Sequence, residues 1–245
     1  MVPEFICDRI RTVPPADAPV VSGSTPIVCF GNAENAEIAT LSLNPSNKEF
    51  VDVNGDELSG ENRRLETLGS LGIDSLQRAP DEAVEAIYKG CIHYFDRNPY
   101  ASWFDQLEAV LDPLDASYYE GSATHLDFVQ WATSEKWGDL SSKVKTTLLD
   151  EDVPFLRKQL QEGKYEFILL NGREVMNTFA EQFEVDLSVR DRIDRISNNH
   201  EVEICTGSLP MGSRVIGWST SLQSTFGLTN DVKGQIAERV QDIVA

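Results

Sequence analysis

AEIATLSLNPSNKEF, residues 36–50, contains the clearest structural pattern in this chain. Its residues 38–43 form an apolar run with the length and composition of a buried β-strand. Pro45 must end that strand, because proline has no backbone donor and a fixed φ. Asn44 therefore stands at the carboxyl end of a buried strand, where α/β sheets place the residues that bind ligands. An ordinary strand followed by an Asn-Pro turn explains the same residues.

Strand-like and helix-like segments alternate along the rest of the chain. We predict strands at residues 26–30, 37–43, 123–129, 166–170, 201–205 and 214–218, and helices at residues 62–71, 81–93, 100–111, 152–161, 173–181 and from Asn230 onward. This alternation predicts an α/β fold, a three-layer α/β/α sandwich with a mostly parallel central sheet. Residues 1–25, rich in proline, alanine, serine and glycine, are predicted to form a surface arm, and residues 26–245 a single domain.

The net charge of the chain is strongly negative. Forty acidic residues against 21 basic ones give −19, which opposes non-specific binding of nucleic acids. Arg63 and Arg64 remain candidates for a local basic face. A second arginine group alternates with acids, and so fits an exposed strand better: Arg190, Arg192 and Arg195, with Arg214 and the acids Asp191 and Asp194.

The sequence gives no sign of a metal site, a cofactor site, a membrane span or a signal peptide. The four cysteines are widely scattered with no CxxC pair, so we expect reduced thiols and no metal or iron–sulfur cluster. Walker A, GxGxxG, GxSxG and HExxH motifs do not occur, and we expect no cofactor. The apolar runs are too short to span a bilayer, and residues 1–15 contain acids and prolines where a signal peptide needs an apolar segment. We therefore expect a cytoplasmic monomer.

Polar side chains follow several of the predicted strands. Asn44, Asp127 and Asn171 lie at or near three strand ends, and a loop rich in hydroxyl groups follows Trp218. In a parallel sheet such ends meet at one edge. We therefore expect a cleft lined by carboxamides, hydroxyls and one carboxylate, with Phe50 as a stacking surface.

The strand that leads into Leu43-Asn44-Pro45-Ser46 resembles the first active-site motif of the uracil-DNA glycosylase superfamily. The likeness is greatest to its mismatch-specific and single-strand-selective branches, and to bacterial relatives outside the characterised ones. The last loop lacks the His and the Pro-Ser of many members, and Phe50 lies nearer the motif than their stacking aromatic does. The other matching segments follow in family order, namely residues 30–32, 100–103, 125–129 (the middle strand), 167–172 (the base-contacting strand end) and 218–227 (the DNA-inserting loop).

This resemblance implies a monofunctional DNA glycosylase, which hydrolyses the N-glycosidic bond of a flipped-out uracil or modified pyrimidine. Asn44 would orient the attacking water through its carbonyl. Asp127 would act as a base or stabilise the positively charged sugar, unless it is a structural strand-end acid. The remaining implied roles are a base pocket of Pro45, Ser46, Phe50 and Asn171, and DNA contacts by Arg63, Ser219, Ser221 and Gln223.

Three other functions fit the same residues. A relative of the superfamily could release hypermodified cytosine from phage DNA as an antiviral defence rather than in DNA repair. A non-catalytic member of the fold would bind a nucleotide, a nucleic acid or a protein, because a carboxamide is also a good ligand. A small-molecule enzyme on an unrelated α/β sandwich is the third. The partner implied by the resemblance is DNA that contains a damaged or modified base.

Overall fold

The computed structural model describes residues 1–194, 201–224 and 228–245. Its α-helices are α1 (Glu4–Ile10), α2 (Leu68–Leu71), α3 (Asp81–Ile92), α4 (Ala101–Leu111), α5 (Ser142–Glu162), α6 (Arg173–Phe183) and α7 (Asn230–Val244). Its strands are β1 (Ile38–Ser42), β2 (Ala123–Asp127), β3 (Phe167–Asn171), β4 (Ser188–Asp194), β5 (Glu201–Ser208) and β6 (Arg214–Trp218). None of the described helices combines the length and apolarity needed to cross a membrane.

The chain divides into two compact units, each built from three stretches of sequence. The first comprises Met1–Asn32, Leu43–Tyr100 and Leu126–Gly163 and contains helices α1, α2, α3 and α5. The second comprises Ala33–Ser42, Ala101–His125 and Lys164–Ala245 and contains the other three helices and the sheet, apart from the end of β2. The predicted division into an arm of residues 1–25 and a domain of residues 26–245 stays a prediction.

A six-stranded sheet with the order β2-β1-β3-β6-β5-β4 forms the centre of the fold. β1, β3 and β6 run parallel to one another. β5 pairs antiparallel with β6, and β4 pairs antiparallel with β5 at the edge of the sheet. The predicted class is confirmed, since this is an α/β fold with a mostly parallel central sheet flanked by helices, consistent with a three-layer α/β/α sandwich. Every residue of β1 and β3 is buried, as expected for central strands covered on both faces.

The exposed strand expected around Arg190 and Arg192 is present as β4, whose burial pattern is mostly exposed. Arg195, the third member of that series, lies outside the described residues.

The strand predicted at residues 26–30 is wrong. These residues are buried but form no strand, and their backbone bonds go elsewhere. The Ile27 amide donates to the Gln130 carbonyl at 2.8 Å, and Gln159 Nε2 donates to the Val28 carbonyl at 2.5 Å. The apolar run therefore indicates burial but not sheet pairing. Side chains and loop carbonyls can also form the hydrogen bonds that a buried backbone needs.

The helix start predicted at residue 152 is also wrong. Helix α5 begins at Ser142, where the Ser141 hydroxyl caps it by accepting from the Val144 amide. Pro154 lies inside the helix and not in its first turn. Asp152 lies inside the helix and forms an ion pair with Arg9. The helix predicted at residues 62–71 is reduced to α2 and a preceding 3₁₀ turn, Gly60–Asn62.

The segment predicted as a surface arm contains a helix with a buried face. α1 packs against α3 and α5 within the first unit. Ile6 and Ile10 are buried, and so is Arg9. Residues 1–25 therefore contribute to the core of that unit.

Candidate active site

The side chain of Asn44 is held in one orientation at the carboxyl end of β1. Its Nδ2 donates to Thr133 Oγ1 at 2.9 Å and to the Trp131 carbonyl at 3.5 Å. Thr133 uses its single hydroxyl proton on the Glu135 carbonyl, at 2.7 Å, so its oxygen must accept from Asn44. The donor side of the carboxamide thus faces the loop around residue 133.

The carbonyl side of Asn44 is therefore left for another group. Within residues 1–194, 201–224 and 228–245 no donor bonds to Asn44 Oδ1. The residue is half-buried, so a small molecule can approach it. A fixed carbonyl oxygen with an open position can accept a hydrogen bond from a water molecule and fix where that water lies.

The other predicted pocket residues of this loop are largely enclosed. Pro45 is buried and Ser46 half-buried, and the Ser46 hydroxyl caps the 3₁₀ turn Asn47–Glu49 by accepting from the Lys48 amide. Phe50 is only 2% exposed. Its predicted role as a stacking surface for a base stays a prediction, and it requires the ring to be uncovered first.

Asp127 ends β2 and is 4% exposed. Its backbone carbonyl accepts from Gln130 Nε2 at 2.8 Å, which fixes the turn that follows the strand. Its negative charge contributes to raising the pKa of Glu49 in the same unit. Asp127 therefore belongs to a group of buried acids, and its role as a base stays a prediction.

Glu49 is a candidate that sequence reasoning missed. It is 3% exposed, and its Oε2 accepts from the Tyr94 hydroxyl at 2.6 Å. The Tyr94 oxygen in turn accepts from the Tyr100 amide at 2.8 Å. In the sequence Glu49 resembles any polar turn residue, and its partner lies 45 positions further along the chain. Only the buried environment distinguishes it.

Burial raises the pKa of Glu49 to about 7. The Tyr94 hydroxyl and the Arg64 charge lower that pKa, and the Asp127 charge raises it. A carboxyl group that titrates near neutral pH can release or take up a proton under working conditions, which suits a general acid or base.

Glu49→Gln is expected to remove a pH dependence of folding. Glu49 loses its proton near pH 4.5 in the unfolded chain but near pH 7 when folded, so the wild-type free energy of unfolding falls as pH rises through that window. The glutamine variant has no such loss, and its advantage should grow by about 2 to 4 kcal/mol across the window. Urea unfolding at both ends of the window measures this, with the exposed Glu61→Gln as the control. An unchanged difference would contradict the assignment.

A basic and aromatic cluster borders the same loop. It consists of Lys48, Arg64 and Tyr100, all in the first unit. Lys48 Nζ and the Arg64 guanidinium lie 5.3 and 5.2 Å from the centroid of the Tyr100 ring. Arg63 Nη2 lies 3.4 Å from Glu66 Oε2, and the contact of Arg63 with DNA stays a prediction.

In the second unit, Asn171 ties β3 to the loop after β6. Its Oδ1 accepts from Trp218 Nε1 and from the Leu222 amide, both at 3.0 Å, and its Nδ2 donates to Gln223 Oε1 at 2.7 Å. Among the described residues, one proton of the Asn171 amide has no acceptor. Contact with a base through both the oxygen and the nitrogen of this amide would require the bonds above to break, so the place of Asn171 in the base pocket stays a prediction.

The predicted DNA contacts in this loop are also bonded within the second unit. The Ser219 hydroxyl accepts from the Glu203 amide at 2.9 Å, and the Ser221 hydroxyl donates to Gln223 Oε1 at 3.0 Å. Gln223 Nε2 donates to the Trp103 carbonyl on α4 at 3.0 Å. These bonds hold the loop against its own unit. The end of the predicted DNA-inserting loop, residues 225–227, lies outside the described residues.

Within each unit the structure brings together part of the predicted set. The first unit holds Asn44, Asp127 and the Asn44–Phe50 loop, together with the unpredicted Glu49 and Tyr94. The second holds Asn171 with Gln223. No group of three or more metal-binding side chains occurs among the described residues.

No protein-family model matches the chain, and no curated protein matches it significantly.

Proposed function

We propose that this protein is a DNA N-glycosylase that releases uracil or a modified pyrimidine from DNA. The observation that carries the proposal is the fixed carboxamide of Asn44. Its donor side is bonded to Thr133, and its carbonyl oxygen stays open for a water molecule. The likeness of Leu43-Asn44-Pro45-Ser46 to the first motif of the uracil-DNA glycosylases supports the same function.

Hydrolysis of the N-glycosidic bond requires a water molecule in a fixed position and groups that stabilise the charges that develop on the sugar and the base. The water oxygen bonds to C1′ of the sugar while the bond from C1′ to the base nitrogen breaks, and the base leaves with the electron pair. Asn44 has no titratable proton, so it orients the water but cannot take its proton. A nearby carboxylate must accept that proton.

Two buried acids of the first unit can accept the proton. Asp127 supplies negative charge that stabilises the positively charged sugar. Glu49, with a pKa of about 7, is half ionised near neutral pH and can take up the proton from the water. We assign the acceptor role to this pair and the orienting role to Asn44.

We also propose that the protein acts as a monomer in the cytoplasm. The four cysteines support that compartment, since none of them forms a disulfide.

A substrate panel tests the proposed function. The protein is incubated with duplex and single-stranded oligonucleotides that contain one uracil, and with phage DNA that carries modified cytosines, and is then treated with alkali. Strand breaks at the modified position are expected for at least one of these substrates. If no substrate gives breaks while the DNA still binds, the protein is a non-catalytic binder and the proposal fails.

A further inference from the structure

The cluster of Lys48, Arg64 and Tyr100 offers two cationic groups that no ion pair among the described residues holds. Neither Lys48 nor Arg64 forms an ion pair within 4 Å of a carboxylate among the residues that the structure describes. The neighbouring arginines differ, because Arg63 and Arg97 both pair with Glu66. Arg64 acts on the buried Glu49 from beyond 4 Å, where its charge lowers the pKa of that carboxyl. In a chain with a net charge of −19, two adjacent cations with no ion-pair partner among the described residues require an explanation.

Both cations are held in place by neutral partners. Arg64 Nε donates to the Asn98 carbonyl at 3.0 Å, and Arg64 Nη1 donates to the Lys48 carbonyl. Lys48 Nζ donates to the Tyr100 hydroxyl at 3.1 Å. Because a guanidinium has five N–H groups and an ammonium three, three donors of Arg64 and two of Lys48 remain. Anchoring by carbonyls and a tyrosine orients the charge without cancelling it.

The cluster borders the loop of residues 44–50, which follows β1. Lys48 lies in this loop, four residues after Asn44. The Tyr100 amide donates to the Tyr94 hydroxyl, which in turn donates to Glu49. A group bound at the cluster is therefore connected to the loop that carries the fixed carboxamide.

We propose that Lys48 and Arg64, oriented by Tyr100, bind a backbone phosphate of the DNA strand that carries the target base. The inference rests on the proposed function. A phosphodiester presents two non-bridging oxygens that share one negative charge and match a guanidinium fork and a neighbouring ammonium. Two cations are enough to bind one phosphate. A longer stretch of the DNA backbone would be repelled by the net negative charge of the rest of the chain.

Salt dependence of DNA binding tests the site. Fluorescence anisotropy with a labelled, uracil-containing single strand is recorded between about 50 and 200 mM sodium chloride for the wild type, Lys48→Ala and Arg64→Ala. Each variant should bind more weakly at low salt, and its slope of log affinity against log salt should be shallower by about 0.7. Lys48 is exposed, so its variant is informative even if Arg64→Ala folds poorly.

Lys145→Ala is the matched control. Lys145 Nζ lies 5.6 Å from the Trp137 ring centroid, so this variant also loses one charge and one cation–aromatic contact in the first unit. Its slope should equal that of the wild type. Equal slopes for Lys48→Ala and the control, or no DNA binding by the wild type, would overturn the phosphate site. Binding is measured apart from base release, so loss of the glycosylase function alone leaves this result readable.

Discussion

Asn44→Ala is expected to slow base release by roughly 10²- to 10³-fold, the range seen when a positioned polar group is removed from an active site. The variant loses the carbonyl oxygen that fixes the attacking water. It also loses the bond to Thr133, which contributes only about 1 kcal/mol to folding. Single-turnover rates on the best substrate of the panel, together with a thermal unfolding curve, separate the two effects.

Two further variants sharpen this test. Asn47→Ala removes a carboxamide from the same loop and should keep wild-type rates. The Asn47 amide is bound to the 130–135 region by a long hydrogen bond, 3.5 Å to the Ser134 carbonyl. Asn44→Asp retains an oxygen acceptor and should release base faster than Asn44→Ala. Equal rates for Asn44→Ala and Asn47→Ala would show that Asn44 does not position the water.

Arg9→Met is expected to lower the free energy of unfolding by about 3 to 5 kcal/mol. Arg9 Nη2 lies 2.7 Å from Asp152 Oδ2, and the two side chains are 6% and 0% exposed. The guanidinium also lies 5.3 Å from the centroid of the Trp131 ring. Without Arg9, the Asp152 carboxylate stays buried with the Gln130 amide, at 2.8 Å, as its remaining donor. Denaturant unfolding of both proteins at pH 8 measures the loss.

The effect of Arg9→Met should depend on pH in a defined direction. Burial already raises the pKa of Asp152 to about 6, and Arg9 opposes that rise. In the variant the pKa rises further, so at pH 5 the carboxyl is protonated and the loss of stability is smaller than at pH 8.

Arg11→Met is the control for that experiment. It breaks an ion pair whose acid, Asp81, is 95% exposed, and should change stability by less than about 1 kcal/mol. Similar losses for Arg9→Met and Arg11→Met would contradict the assigned role of the buried pair.

The sequence predicted the fold class because the strongest patterns were also the most local. Strands β1, β3 and β6, and helices α3, α4, α6 and α7, lie within a few residues of their predicted positions. The strand predicted at residues 26–30 was wrong because an apolar run indicates burial but does not show which partner its backbone bonds to. The start of α5 was predicted too late because an acid and a proline often mark a first turn, whereas this helix begins earlier, after a good cap at Ser141.

The candidate site was predictable only in part. Asn44 was found because an amide directly after a buried strand is visible in the sequence. Glu49 was not, since its special property is a pKa set by burial and by Tyr94, a residue distant along the chain. Asn171 was found, but its hydrogen bonds to Trp218, Leu222 and Gln223 could not be read from the sequence.

The most direct test is detection of the released base itself. Wild-type protein and Asn44→Ala are incubated with DNA that contains uracil or modified cytosine, and the free base in the supernatant is identified by mass spectrometry. The wild type is expected to release free base and to leave the sugar–phosphate backbone intact, and Asn44→Ala is expected to release the base at a roughly 10²-fold lower rate. No free base from any of these DNAs, or equal release by the two proteins, would contradict it.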